Sequence, residues 1–137
     1  MKNWMIYGAY GYTGRLITRE AVERGLRPVP AGRDMEQTAK IAVDYHLSYE
    51  SFSLSSPKEM RKALEKVDAV LHCAGPFSAT AEPMLDACLD TGTHYLDITG
   101  EIDVFEAIAG RAEEIEQAGI VAVPGVGFDV APTDSLA

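Results

Sequence analysis

The segment Gly8-Ala9-Tyr10-Gly11-Tyr12-Thr13-Gly14 stands directly after the apolar run Trp4-Met5-Ile6-Tyr7. Three glycines in this spacing, between a strand and the opening of a helix, can cradle phosphate. Gly8 permits a sharp turn, Gly11 lets backbone approach a pyrophosphate, and Gly14 lets the helix pack close to the strand. The first-turn amides of that helix point at the anion, with the positive end of the helix dipole behind them. A glycine turn of this kind also occurs without a ligand. The flanking strand, helix and βαβ series favour the dinucleotide reading.

Cofactor choice is made about twenty residues further on, at the end of the second strand. That end reads Ala31-Gly32-Arg33-Asp34. Glycine takes the place of the carboxylate that would bond an NAD ribose. Arg33 follows at once, and a guanidinium there can fork onto a 2′-phosphate and stack on adenine. NADP(H) is therefore favoured over NAD(H). The competing reading makes Arg33 a solvated loop charge and gives the ribose to Asp34.

Three further segments place polar or small residues at strand ends. His72-Cys73-Ala74-Gly75-Pro76-Phe77 lies across from the first turn, where small residues let backbone lie against a ribose. Pro76 and Phe77 could wall a nicotinamide face; a plain strand-to-helix turn is the alternative. Cys73 could be imagined as a nucleophile, but no base is apparent, and a small buried cysteine is the better reading. Asp97-Ile98-Thr99-Gly100-Glu101 offers an acid or base in Asp97 or Glu101. A helix-capping turn on Thr99 or Gly100 ranks ahead of that. Pro124-Gly125-Val126-Gly127-Phe128-Asp129 suggests close approach to a ligand or a structural bend. His94 reads as structural, His46 as a surface residue and Cys88 as core packing. There is no Tyr-x-x-x-Lys, no HExxH or paired CxxC for a metal, and no GxxxxGK[ST].

The elements that must position these residues alternate strand and helix, which predicts a parallel α/β sheet. Strands are expected over 3–7, 27–31, 49–54, 69–73, 95–98 and 120–123. Pro28 and Pro30 make the second short or irregular. The first helix, over 13–24, is expected to bury Leu16, Ile17 and Ala21, with Gly25 just past its end. Helices follow over 35–45 and, from a capping box at Ser56-Pro57-Lys58-Glu59, to Lys66. Ala81, Met84, Leu85, Cys88 and Leu89 mark the next. Ile102, Phe105, Ile108, Ala112 and Ile115 mark a single helix closing at Gly119. This is a doubly wound Rossmann sheet in three layers, with order 3-2-1-4-5-6.

The 137 residues suffice for one domain. With 12 basic and 21 acidic residues the net charge is −9, which argues against nucleic acid or an anionic membrane as partner. Two cysteines without a CxxC favour a reduced, cytoplasmic setting. No window approaches the roughly 18 apolar residues of a membrane span.

Taken together, these stretches resemble the N-terminal NAD(P)-binding domain of the saccharopine dehydrogenase-like family, which includes saccharopine reductases and trans-acting enoyl reductases. The resemblance is carried by GAYGYTG at 8–14, AGRD at 31–34, CAGPF at 73–77, GTHYLDITGE at 92–101 and GVGFDVAPTD at 125–134. It implies a cofactor domain followed by a second domain for substrate binding and dimerisation, which these residues lack. By position, Gly8, Gly11, Tyr12, Thr13 and Gly14 would hold the pyrophosphate, with Ala9 and Tyr10 in the same turn. Arg33 would hold the adenosine phosphate and Ser53 would lie near the adenine. Cys73, Ala74, Gly75, Pro76 and Phe77 would meet the nicotinamide side.

Family substrates range from amino-acid adducts to lipid enoyl groups, so no catalytic residue is assigned. Residues 131–137 look like a helix opening on Thr133 or Asp134, which suggests a fragment of a longer enzyme with little turnover alone. Exposed apolar surface left by a missing domain could drive formation of a homodimer. The second functional reading is a non-enzymatic module that senses NADPH/NADP for a partner protein.

Overall fold

The computed structural model describes residues 3–127. In chain order the elements are β1 (Trp4–Tyr7), α1 (Tyr12–Glu23), β2 (Val29–Gly32), α2 (Met35–Tyr45), β3 (Glu50–Ser51) and α3 (Pro57–Leu64). They continue with β4 (Ala69–His72), α4 (Phe77–Thr91), β5 (His94–Asp97), α5 (Ile102–Ala109), α6 (Ala112–Ala118) and β6 (Ala122–Val123). The strands form one parallel sheet in the order β3-β2-β1-β4-β5-β6, as the sequence predicts.

The period-2 alternation of the central strands sends side chains to two cores. Met5 and Tyr7, with Val70 and Tyr95, join α3, α4 and α5 residues such as Leu64, Leu85 and Val104. Ile6 faces the other way, with Ile41 of α2 and Ile17 of α1. Helices therefore cover both faces, and the direction in which successive strands are added to the sheet reverses between β1 and β4. That reversal is where ligands bind in such sheets.

Several local expectations are corrected. Leu16 is 42% exposed; the inner face of α1 is Gly14, Thr18 and Ala21 instead. At its start the helix lies so close to the end of β1 that position 14 admits only glycine. The third strand pairs only Glu50 and Ser51, although Phe52 still donates its amide to the Gly32 carbonyl at 3.1 Å. The helix at 57 opens on Pro57, but the Ser56 side chain makes no capping bond.

The long helix predicted from Ile102 to Gly119 is two helices. Arg111 leaves helical geometry (φ −107°, ψ 17°), and its guanidinium bonds Asp86 of α4 and Glu114 of α6. The break falls directly after Gly110, the C-cap of α5. The helix start expected at 131–137 lies outside the described residues.

Gly14 sets the tightest packing. A Cβ on it would stand 2.1 Å from the Gly8 carbonyl oxygen and 2.8 Å from Ala9 Cα, both backbone atoms. Gly14→Ala is expected to cost about 3 kcal/mol, measured by urea unfolding. Gly100→Ala, where nothing lies within 4 Å, should stay within about 0.5 kcal/mol. Equal midpoints for the two variants would contradict the close packing of α1 on β1.

Candidate functional site

Register aligns the carboxyl ends of the strands. Tyr7 pairs with Ala31 on one side and His72 on the other, and His72 pairs with Asp97. The glycine turn after β1 and the loop after β4 then face each other. A Cβ on Gly8 (φ +87°) would lie 2.9 Å from the Ala74 amide nitrogen and 3.0 Å from the Cys73 carbonyl carbon. The Gly8 and Ala9 amides both donate to the Ala31 carbonyl, and the Cys73 amide donates to that of Tyr7.

Between these segments runs a cleft of about 570 Å³. It brings together Gly8, Tyr10, Gly11, Arg33, Ser53, Cys73, Ala74 and Gly75 of the predicted residues. Tyr12, Thr13 and Gly14 lie outside its lining, in the first turn of α1. Gly11 is that helix's N-cap and carries no side-chain cap. The first-turn amides have no intrahelical acceptor and are open to an anion. Ala9 is fully buried in the Ile6 core, so its side chain has no access to the cleft.

The end of β2 departs from the usual arrangement through Tyr10. Its ring lies over Gly32, where an added Cβ would come 2.4 Å from Tyr10 Cε1. The Tyr10 hydroxyl accepts the Asp34 amide at 3.1 Å. Asp34 is exposed. Its carboxylate caps α2, accepting from the Gln37 amide at 3.0 Å and from Gln37 Nε2 at 3.2 Å. The backbone bond from Gln37 is the main reason its carboxyl is held below the ordinary aspartate range. Arg33 is exposed and lines the cleft, in no ion pair among the described residues.

On the opposite wall, loop 73–76 is held from below. His72 is fully buried, and its Nε2 lies 2.9 Å from Thr80 Oγ1. The Thr80 hydroxyl reaches the Ala74 carbonyl at 2.7 Å and the Pro76 carbonyl at 3.1 Å. Its single proton goes to those carbonyls, so it accepts from His72, and the imidazole carries its proton on Nε2. Nδ1 is buried without a partner among the described residues.

Burial pulls the His72 pKa down to about 4 and pushes the Cys73 thiol up to about 12, the charge of Asp97 adding to the latter. Cys73 is therefore no thiolate nucleophile. Pro76 does not line the cleft, and the Gly75–Pro76 bond is cis. Phe77 is turned away from it. Its ring packs edge-on against His72, at 5.2 Å between centroids, and borders a groove between α4 and α5.

At the end of β5, Asp97 is fully buried and committed to structure. It accepts from the Tyr95 hydroxyl, from the Thr99 amide at 3.0 Å and from the Gly125 amide at 2.9 Å. The acid–base reading of Asp97 is corrected accordingly. The capping reading is also modified. Glu101 is the N-cap of α5, and the Thr99 hydroxyl accepts the Glu101 amide at 3.1 Å. Gly125 (φ +73°) is a bend against Phe105, whose ring would lie 2.5 Å from an added Cβ. Phe128 and Asp129 lie outside the described residues. His94 is structural, its Nδ1 accepting the Val121 amide at 3.0 Å, and His46 is an exposed helix end.

Sequence reasoning missed Tyr7, Thr80 and the Tyr10–Gly32 contact. Tyr7 floors the cleft and donates to the Phe52 carbonyl at 2.9 Å; burial pushes its phenol up to about 12. The signal for Tyr7 and Thr80 was their place at the last residue of a strand and the first turn of a helix. The Tyr10 contact had no signal along the chain.

A glycine turn, an uncapped helix start and a free arginine around one cleft suit a dinucleotide with an extra phosphate. No group of His, Cys, Asp and Glu among the described residues could hold a metal ion. The fold and cleft define a doubly wound dinucleotide-binding domain. The family model of the saccharopine dehydrogenase NADP binding domain matches residues 4–123, and the chain belongs to that family.

The saccharopine dehydrogenase-like oxidoreductase of Bos taurus is 26% identical over 150 residues, covering 95% of this chain and 35% of the relative. The trans-acting enoyl reductase of Mycobacterium leprae is 27% identical over 138 residues, covering 95% and 33%. The chain thus spans about a third of the length of these curated relatives. Apo saccharopine dehydrogenase (L-Glu forming) from Saccharomyces cerevisiae shares the fold, with a TM-score of 0.78 at 18% identity over 94% of this chain and 28% of that one.

His72 makes stability depend on pH. The unfolded imidazole titrates near 6.5 and the folded one near 4. The unfolded chain therefore takes up the proton first. This contribution is complete above about pH 6.5 and is lost as pH falls toward 4, about 3 kcal/mol in all. His72→Gln should flatten the fall of the urea midpoint between pH 7 and pH 4.5. An unchanged slope in the variant would mean that another group supplies it.

Proposed function

We propose that these residues bind NADP(H) across the cleft as the cofactor half of a larger oxidoreductase. The pyrophosphate rests on the Gly8–Gly14 turn and the first-turn amides of α1. Arg33 takes the 2′-phosphate, Ser53 lies by the adenine, and Cys73, Ala74 and Gly75 flank the nicotinamide ribose. The observation that carries this reading is the single cleft shared by the glycine turn, Arg33 and loop 73–75. When bound, the cofactor supplies hydride to, or takes it from, a carbon centre; the protein supplies orientation and field.

A substrate domain beyond these residues would hold that carbon and carry dimer contacts. Relatives named as dehydrogenase-like and as an enoyl reductase support a small-molecule or lipid substrate. Neither supports the regulatory-module reading. No helix among the described residues is long and apolar enough to cross a membrane. The two free cysteines support a reducing compartment such as the cytoplasm.

Calorimetric titration with NADPH and NADH side by side tests the reading. NADPH is expected to bind at least about tenfold tighter. Arg33→Ala should remove most of that difference while leaving NADH unchanged. Equal affinity in the unaltered chain would discard the 2′-phosphate assignment, and binding of neither would discard the cofactor assignment for these residues alone.

A further inference from the structure

We infer that Tyr10 is the residue that sets selection of a 2′-phosphorylated cofactor, by excluding a carboxylate from position 32 and by fixing the backbone that carries Arg33. The inference rests on the binding mode proposed above and adds a second determinant to it.

The exclusion is steric. An acid at the end of β2 needs a Cβ at position 32. That atom would stand 2.4 Å from Tyr10 Cε1 and 3.1 Å from Cδ1, with Thr38 Oγ1 at 3.0 Å on another side. Van der Waals contact between carbons is reached at about 3.5 Å or more. In this conformation a tyrosine at 10 and a carboxylate at 32 cannot coexist. The ring is not free to swing away without loss. Its hydroxyl accepts the Asp34 amide at 3.1 Å, a bond lost if the ring turns.

The second role follows from the same bond. The Asp34 amide belongs to the peptide that joins Arg33 to Asp34. Ser51 holds the other side of that peptide, its hydroxyl donating to the Arg33 carbonyl at 3.3 Å. Tyr10 and Ser51 together fix the plane of the linkage next to the Arg33 Cα. The neighbouring carboxylate of Asp34 is occupied as the cap of α2. The end of β2 therefore presents a cation on a fixed backbone, and its one carboxylate is already engaged by Gln37. Such an end favours a phosphate and disfavours two hydroxyls.

The test is a double-mutant cycle in the 137-residue chain. It uses Tyr10→Ala, Gly32→Asp, the pair together and Tyr10→Phe, each titrated with NADPH and NADH. Gly32→Asp alone should weaken both cofactors, because ring and side chain collide. Tyr10→Ala with Gly32→Asp should bind NADH about tenfold or more tighter than Gly32→Asp alone, and prefer it to NADPH. A Gly32→Asp variant that gains NADH without the second change would overturn the steric claim.

Tyr10→Phe keeps the ring and loses the acceptor for the Asp34 amide. Its NADPH affinity should fall about threefold or more with NADH unchanged. If variants at 32 do not fold, as thermal melts would reveal, Tyr10→Phe and Tyr10→Ala decide alone; an unchanged NADPH-to-NADH ratio in both overturns the inference. A preference abolished by Arg33→Ala but untouched by either Tyr10 variant sinks this inference and leaves the proposed function standing. No preference in the unaltered chain sinks both.

Discussion

Everything at the carboxyl edge depends on backbone meeting backbone with no side chain between. Gly14 lies against the Gly8 carbonyl, and Gly8 lies against the backbone of Cys73 and Ala74. The first contact brings the start of α1 down onto the end of β1, which aims the first-turn amides along the sheet edge. The second brings the β4 loop against the glycine turn, which closes the far wall of the cleft. A methyl group at either place would push apart elements that carry the site. Interiors packed at crystal-like density do not absorb such a displacement locally. The site geometry is thus a consequence of two missing Cβ atoms.

Features set by residues near one another in sequence were legible before the structure. Glycine spacing, the alternation of strands and helices and the β3-β2-β1-β4-β5-β6 order all follow from local pattern and from the handedness of βαβ connections. Left-handed Gly25 and Gly92 end their helices as their positions suggest. What escaped was set by partners distant in sequence. The Tyr10 ring covers Gly32 only because β1 and β2 pair in this register. Leu16 reads as a core residue by periodicity, yet the closeness demanded by Gly14 gives the interface to smaller side chains. At the break in the helical pattern after Gly110, Arg111 bonds Asp86, which lies 25 residues back in sequence but beside it in space.

The loop that follows β4 shows the same division. CAGPF could be read as small and bendable, but nothing in it named what holds it. The holder is the pair His72 and Thr80, one from the strand before and one from the helix after. A neutral imidazole buried between Tyr7, Phe77 and Tyr95 is costly to protonate. In return it donates a directional bond to a hydroxyl whose proton serves the loop carbonyls. A hydrocarbon of the same volume would fill the space and leave the Thr80 oxygen without the His72 donor.

The remaining question is why an acidic chain should attract a dinucleotide carrying several negative charges. Net charge is −9, but charge acts over distance. At about 0.1 M salt, exposed charges beyond about 10 Å are largely screened. Several of the acidic groups are in partnership with bases, as in Glu20 with Arg24, Glu50 with Lys66, and Asp86 and Glu114 with Arg111. At contact distance the cleft offers the opposite sign, from the amides at the start of α1 and from Arg33. The nearest carboxylate on the β2 side, Asp34, has its oxygens turned to the α2 amide and Gln37. Local potential at the glycine turn is therefore governed by groups within a few ångströms, and the bulk charge of the chain affects the rate of approach more than the strength of binding.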